Sequence, residues 1–83
     1  MNLCNMEKTF DINIGTEVWV IHRNRIMQGP VTRIWYTKFV SPVDYESVVE
    51  SEWYTICDAE GNRIDSFRRK DLFKTKEELL KSL

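Results

Sequence analysis

Residues 17–31 have the sequence EVWVIHRNRIMQGPV, in which two runs of strand-forming residues flank a short polar turn. Valine, isoleucine and tryptophan are all enriched in β-strands. Asparagine tolerates the left-handed backbone conformation of tight turns, so the Arg-Asn-Arg triplet at 23–25 predicts a β-hairpin. The Gly-Pro pair at 29–30 interrupts the second run. It predicts a β-bulge or a close approach of another backbone, since proline has no amide proton to donate to a strand ladder.

The first run also predicts which side chains face the core. Successive side chains of a strand point to opposite faces of the sheet. Val18 and Val20 therefore share one face, and Trp19 shares the other face with Ile21. Because the two valines suit the interior, we expect Trp19 to point away from the core.

The strand-forming pattern continues on both sides of this hairpin. Residues 10–14 alternate apolar and polar side chains, and a turn at 58–62 places Gly61 for a positive φ. Residues 31–40 are predicted to continue the second strand beyond the Gly-Pro interruption, and further strands are predicted at 45–57, as one long bent strand or two short ones, and at 63–68. The pattern indicates a mainly β fold, namely a small, strongly bent antiparallel barrel of about five strands.

The C-terminal residues change from a strand pattern to a helical one. Thr75 and Glu78 form a capping box, in which each side chain can bond the other residue's amide. Leu79, Leu80 and Leu83 follow with helical spacing and predict a short amphipathic helix at 75–83. So short a helix is marginal in water, and we expect it to dock on the barrel. The chain is therefore predicted to be a single domain over 1–83, with the barrel at about 10–73 and the helix at about 75–83.

Two segments carry a likeness to a known family, FDINIGTEVWV at 10–20 and IMQGPVTRI at 26–34. They give the pattern Gly-x-x-Val-x-Val, a turn, and Ile-x-x-Gly-x-Val-x-x-Ile. This pattern resembles the SH3-like barrels of the KOW and Tudor type. The ending LFKTKEELL at 72–80 is similar to the tail of small uncharacterised proteins from phages and mobile elements. The resemblance implies an SH3-like barrel, a phage or mobile-element origin, and nucleic-acid binding as one candidate function.

The charge of the chain is nearly balanced but unevenly distributed. Its 83 residues include 12 basic and 13 acidic side chains, a formal net charge of -1. A protein that binds nucleic acid by phosphate neutralisation alone is expected to be basic overall. Residues 44–60 hold six acids and no lysine or arginine, whereas residues 63–81 hold seven basic residues and four acids. Either segment can be a solvated face, or a surface that selects a charged partner.

The sequence offers little for catalysis or metal binding. His22 is its only histidine, and Cys4 and Cys57 are too far apart for a zinc motif, which uses ligands in close pairs. Residues 44–60 lack the spaced acids of a calcium loop, and the isolated glycines make no phosphate loop. We therefore expect a protein that is not an enzyme and that has no metal site and no cofactor.

The composition also bears on the compartment. The first residues, MNLCN, lack the basic and apolar regions of a signal peptide. No apolar run approaches the roughly 18 residues of a membrane span. Two cysteines without a disulfide framework suit a reducing compartment. We expect a cytoplasmic protein with no membrane partner.

Two groups of residues are candidates for binding. Tryptophan and arginine are enriched at interaction hot spots, so the candidate protein-binding residues are Trp19, Ile21 and Trp53. Alternatively, the C-terminal helix covers the tryptophans as a second small core. Basic groups interleaved with aromatic rings suit single-stranded nucleic acid. The candidate nucleic-acid-binding residues are Arg23, Arg25, Arg68, Arg69 and Lys70.

The sequence therefore predicts a non-enzymatic interaction module that binds another protein. One alternative is a nucleic-acid-binding module of the KOW or Tudor kind. Another is an inhibitor of a bacterial host enzyme or defence complex, in which the acidic stretch imitates a polyanion. A homodimer is also compatible with an exposed tryptophan face, because a soluble monomer rarely leaves a large apolar patch open.

Overall fold

The computed structural model describes residues 9–83 and shows an antiparallel meander followed by a short helix. Within these residues the strands are β1 (Glu17–His22), β2 (Arg25–Val40), β3 (Val48–Cys57) and β4 (Arg63–Phe67). They lie in the order β1-β2-β3-β4. A 3-10 turn at Arg69–Asp71 and the helix α1 at Lys76–Lys81 complete the fold.

The mainly β class and the C-terminal helix are confirmed, but the closed barrel of about five strands is not. The described residues form an open four-stranded sheet, and residues 10–14 belong to no strand. That segment nevertheless packs against the sheet, because Ile12 is fully buried and Phe10 makes edge-on contacts with two tyrosine rings. The alternation at 10–14 therefore predicts the burial of Ile12 without a strand ladder, whereas Ile14 is 65% exposed.

The long strand β2 connects the two halves of the sheet. Its first residues pair with β1 and its later residues pair with β3. A register shift lies between Val31 and Arg33, so that Val31 and Ile34 both face the core. The predicted close approach is also present, because a Cβ on Gly29 would collide with the carbonyl oxygen of Cys57. The irregularity in β2 thus bends the strand across the end of β3.

The turn between β1 and β2 is the predicted hairpin. His22 pairs with Arg25, which leaves Arg23 and Asn24 as the two loop residues. Their φ angles are 51° and 63°, so both lie in the left-handed region. Positive φ at both central residues is the property of the type I′ turn, whose twist matches that of the flanking strands.

The core lies on one side of the sheet and confirms the alternation expected for β1. Val18 and Val20 are fully buried. The buried cluster comprises Ile12, Val18, Val20, Val31, Tyr54, Ile56 and Leu72. The Tyr54 hydroxyl donates to Glu52 at 2.8 Å. The pKa of Tyr54 is raised to about 12, mainly because the hydroxyl is buried and secondly because of this hydrogen bond.

The C-terminal helix has the Thr75 half of the predicted capping box, and only one leucine docks it. The Thr75 hydroxyl accepts from the Glu78 amide at 3.1 Å. Leu79 is fully buried, whereas Leu80 is 47% exposed and Leu83 is 76% exposed. Leu80 follows Leu79 by one position, about 100° around the helix, and Leu83 lies after the end of α1, so neither shares the side that Leu79 buries. The expectation that the three leucines form a second core is therefore wrong for Leu80 and Leu83.

The outer edge of β1 is partly covered by Phe73, which lies shortly before the helix. Trp19 and Phe73 form an isolated antiparallel bridge, with amide-to-carbonyl distances of 2.7 and 3.0 Å. This bridge shields part of an edge that would otherwise expose unpaired backbone groups. The helices of the described chain are too short and too polar to span a bilayer.

The opposite end of the sheet projects as an arm. Over residues 35–53, β2 and β3 pair with each other and, within the described chain, with no third strand. Tyr36 donates to Glu50 at 3.0 Å, and Lys38 lies 3.5 Å from the same carboxylate, so side chains brace this ribbon. The arm makes the molecule elongated, with extents of 43 × 26 × 24 Å.

Candidate functional site

Within residues 9–83, the side chains considered for catalysis or metal binding do not assemble into a site. His22 lies with Nδ1 3.7 Å from a carboxylate oxygen of Asp65 and with its ring edge-on to Phe67. Cys57 lies 3.4 Å from the Thr32 hydroxyl, and Cys4 lies outside the described residues. Over 9–83, no three histidine, cysteine or acidic side chains come close enough to hold a metal ion.

The three candidate protein-binding residues lie in two different places. Trp19 is half-buried between Phe73 and Lys76, whose ammonium lies 5.7 Å from the ring centre. Ile21 pairs across the hairpin with Ile26, and these side chains are 37% and 40% exposed. Trp53 lies on β3, two strands away from Trp19. The terminal helix thus reaches Trp19, and the structure does not bring Trp19 and Trp53 into one patch.

The candidate basic residues are also divided. Arg23 and Arg25 flank the β1–β2 turn, whereas Arg68 lies over the Trp53 ring at 4.4 Å. Lys70 lines a shallow groove that also contains Glu50 and Glu52. The five residues therefore form no single basic rim in the part of the chain that the structure describes.

The Arg69 guanidinium joins two distant parts of the chain through hydrogen bonds to Asp11. We call this contact the clamp. The guanidinium donates to both carboxylate oxygens of Asp11, with Nε–Oδ1 at 3.0 Å and Nη2–Oδ2 at 2.7 Å. It also donates to the Leu72 carbonyl at 3.0 Å. The hydrogen bonds from Arg69 lower the pKa of Asp11 to about 2. A bidentate pair of this kind is a strong and directional contact, so Arg69 ties residue 11 to the 3-10 turn.

An exposed cluster of arginine and tryptophan covers the side of β2 and β3 away from the core. Trp35 and Trp53 are direct cross-strand partners, 52% and 38% exposed. The guanidinium of Arg33 lies 5.2 Å from the Trp35 ring, and that of Arg68 lies 4.4 Å from the Trp53 ring. Arg63 lines the same open depression of about 500 Å³ as Arg33 and Trp35. We call Arg33, Trp35, Trp53, Arg63 and Arg68 the arginine–tryptophan face.

Sequence reasoning missed Arg33, Trp35 and Arg63 as members of this face. Trp53 and Arg68 were expected in binding sites, but in two separate ones. The position of Trp35 opposite Trp53 depends on the register of β2 against β3. The spacing of Arg33 and Trp35 on one side of a strand is visible in the sequence, and is the only local signal for the cluster.

The end of the arm is apolar and exposed. We define the arm tip as residues 39–48, which include the last residues of β2, the connecting loop and the first residue of β3. Five large apolar side chains there are between 48% and 88% exposed, namely Phe39, Val40, Val43, Tyr45 and Val48. Tyr45 was expected to begin a strand, but it lies in the loop with a φ of 59°.

Hydrogen bonds hold the arm tip in one conformation. A single oxygen of Asp44 accepts from the amides of Glu46 and Ser47, both at 3.0 Å, and its other oxygen accepts from the Ser47 hydroxyl at 2.9 Å. These hydrogen bonds lower the pKa of Asp44 below its usual value. The bond from the Ser47 amide contributes most, followed by the bond from the Glu46 amide. Backbone bonds from Ser41 to Ser47 and from Tyr45 to Ser41, at 2.7 and 2.9 Å, close the loop.

Comparison with known proteins returns no relative. No family model, no curated protein and no solved structure matches this chain. The function must therefore be argued from the arm tip and from the arginine–tryptophan face.

Proposed function

We propose that this chain is a protein-binding module whose contact surface is the arm tip. The observation that carries the proposal is the combination of exposure and order at 39–48. Val43 is 88% exposed and Tyr45 is 77% exposed, on a loop closed by its own hydrogen bonds. Large exposed apolar patches on soluble proteins often mark interaction sites.

The conformation of Tyr45 adds to this argument. A bulky residue at positive φ is strained, and such strain persists only where the surroundings impose it. The Asp44 hydrogen bonds impose it here. A loop that is already ordered loses less conformational entropy on binding, and this favours affinity.

The charges around the arm tip indicate the chemistry of the partner. Asp44 and Glu46 flank Tyr45, and residues 39–48 contain no basic side chain. Such a surface repels nucleic acid and favours a protein with an apolar pocket bordered by lysine or arginine. A bacterial host enzyme would be one protein of this class, and this chain would then act as its inhibitor.

The finer fold assignment is part of the same proposal. A bent β2 shared between β1 and β3, and the bridge from Trp19 to Phe73, are compatible with an SH3-like arrangement. In this arrangement the arm is a long extension of one hairpin, and the small core serves to hold it.

Site-specific photo-crosslinking tests the proposal. A photoreactive phenylalanine analogue replaces Val43 in one variant and Ala59, an exposed residue of the β3–β4 turn, in a matched control. We expect the variant with the analogue at position 43 to form a discrete crosslinked product with another protein. The variant with the analogue at position 59 should not form this product. A product of twice the chain mass would identify a second copy as the partner.

Loss of the product when Tyr45→Ser and Val48→Ser are added would link capture to the arm tip. The same set of products from positions 43 and 59, or capture that survives both serines, would contradict the proposal. Circular dichroism of each variant establishes that the sheet is retained.

A further inference from the structure

We propose that the arginine–tryptophan face binds single-stranded nucleic acid, independently of the arm tip. Its central feature is the pair Trp35 and Trp53, placed directly opposite each other on neighbouring strands. Directly opposed residues have Cβ atoms about 4.5–5.5 Å apart, so the two indole side chains start from neighbouring positions on the same face of the sheet.

This surface is accessible and already carries cations. Both tryptophans are more than one third exposed, at 52% and 38%. Each ring has a guanidinium within cation–π distance, from Arg33 at 5.2 Å and from Arg68 at 4.4 Å. A base that stacks on either indole would displace the guanidinium from the ring face, and the displaced guanidinium could then bond the phosphate.

The depression beside Trp35 supplies further polar groups. It has a volume of about 500 Å³ and is lined by Arg33, Arg63 and the hydroxyl-bearing residues Thr32, Thr55 and Ser66. Arg63 donates to the Ser66 hydroxyl at 3.2 Å and lies 3.4 Å from Asp65. Guanidinium and hydroxyl donors at one place suit a phosphate group.

Basic side chains outnumber acidic ones on this face, although Arg68 also lines a groove that contains Glu50 and Glu52. Three arginines belong to the face, and Asp65 is the carboxylate that an ion pair brings next to one of them. Glu50 and Glu52 alternate with Trp53 along β3 and therefore point to the opposite side. The tyrosine bonds to these two carboxylates, from Tyr36 and Tyr54, lie on that opposite side as well. The chain thus has one basic, aromatic face although its net charge is -1.

The shape of the face decides between nucleic acids. Duplex bases are stacked on one another, so their faces cannot reach an aromatic sheet surface, whereas single-stranded bases can. An acidic peptide satisfies the arginines but has no flat rings to cover the indoles. Single-stranded nucleic acid is the ligand that uses both components of the site.

Fluorescence anisotropy with a labelled oligothymidylate of about 12 nucleotides, long enough to cover a site of this size, tests the proposal. Phosphate contacts from Arg33, Arg63 and Arg68 to a single strand give a salt slope of about −2. The affinity should therefore fall about twentyfold between about 50 and 200 mM salt. The double variant Arg33→Ala, Arg68→Ala should reduce this to about threefold, because one contact remains. The matched control Arg23→Ala, Arg25→Ala removes the same charge from the β1–β2 turn and should leave the twentyfold change intact.

A second arm tests stacking. Trp35→Ala should weaken binding at least about fivefold, as loss of one stacking platform does, while Trp35→Phe should retain most of the affinity. An excess of duplex DNA or of poly-glutamate should compete poorly with unlabelled oligothymidylate.

Three results would overturn the proposal. They are no binding at about 50 mM salt, where phosphate contacts are strong; equal competition by poly-glutamate or duplex; and a larger effect of the Arg23 and Arg25 substitutions than of the Arg33 and Arg68 substitutions.

Discussion

Replacing Gly29 with alanine tests the bend of β2 across the end of β3. The new Cβ would overlap the carbonyl oxygen of Cys57 and approach its carbonyl carbon to 3.0 Å. These are backbone atoms of a paired strand, since Cys57 pairs with Arg63, and they cannot rotate away as a side chain would. The strands must separate, so we expect a loss at the upper end of the usual overpacking cost, at least about 3 kcal/mol.

That loss is large for a domain of this length, whose whole unfolding free energy is of the order of 4–12 kcal/mol. Urea unfolding followed by circular dichroism measures it. Gly61→Ala is the matched control, because Gly61 has a φ of 87° with no atom within 4 Å of the added Cβ. It should lose only about 1–2 kcal/mol, the cost of a left-handed alanine. If Gly29→Ala lost no more than Gly61→Ala, the close crossing of β2 and β3 would be refuted.

Two further predictions concern the ends of the chain. Asp11→Asn should cost about 0.5–1 kcal/mol at pH 7, a value kept low because the ion pair with Arg69 is largely exposed. Since the pKa of Asp11 is lowered to about 2, the wild-type advantage should be complete above about pH 4 and should vanish as the pH falls through 2. Urea titrations of both proteins at several pH values check this, and a constant difference would be incompatible with the clamp. In α1, Leu79→Ala should cost about 2–5 kcal/mol, because its side chain is buried, whereas Leu80→Ala should change stability by less than about 0.5 kcal/mol. Equal losses from the two leucines in thermal unfolding would show that α1 docks on a different side.

Local patterns in the sequence predict those features that depend only on near neighbours. The burial of Val18 and Val20 follows from alternation within one strand, and the helix cap at Thr75 follows from a four-residue motif. The positive φ of Asn24 and of Gly61 follows from the residue type in a short turn. None of these features requires knowledge of which strands pair.

The candidate sites depend on which residues of distant strands pair with each other. The sequence alone does not predict this pairing. The register shift between Val31 and Arg33 changes which residues of β2 face outward. Without it, the meeting of Trp35 and Trp53 cannot be predicted. Tyr45 was assigned to a strand from its β propensity, but the hydrogen bonds of Asp44 hold it in a loop. Local hydrogen bonds from an Asp side chain to nearby amides override strand propensity at such positions.

The central claim is that the arm tip provides the contact with a protein partner. Calorimetric titration of the partner captured at position 43 tests it most directly, with wild type, the double variant Val43→Ser, Tyr45→Ser, and the control Ile14→Ser. Ile14 is 65% exposed and lies before β1, outside the arm. If the arm tip is the hot spot, the double variant should bind at least about thirtyfold more weakly, and the control should bind within about twofold of wild type. Unchanged affinity in the double variant, with a folded sheet, would contradict the claim.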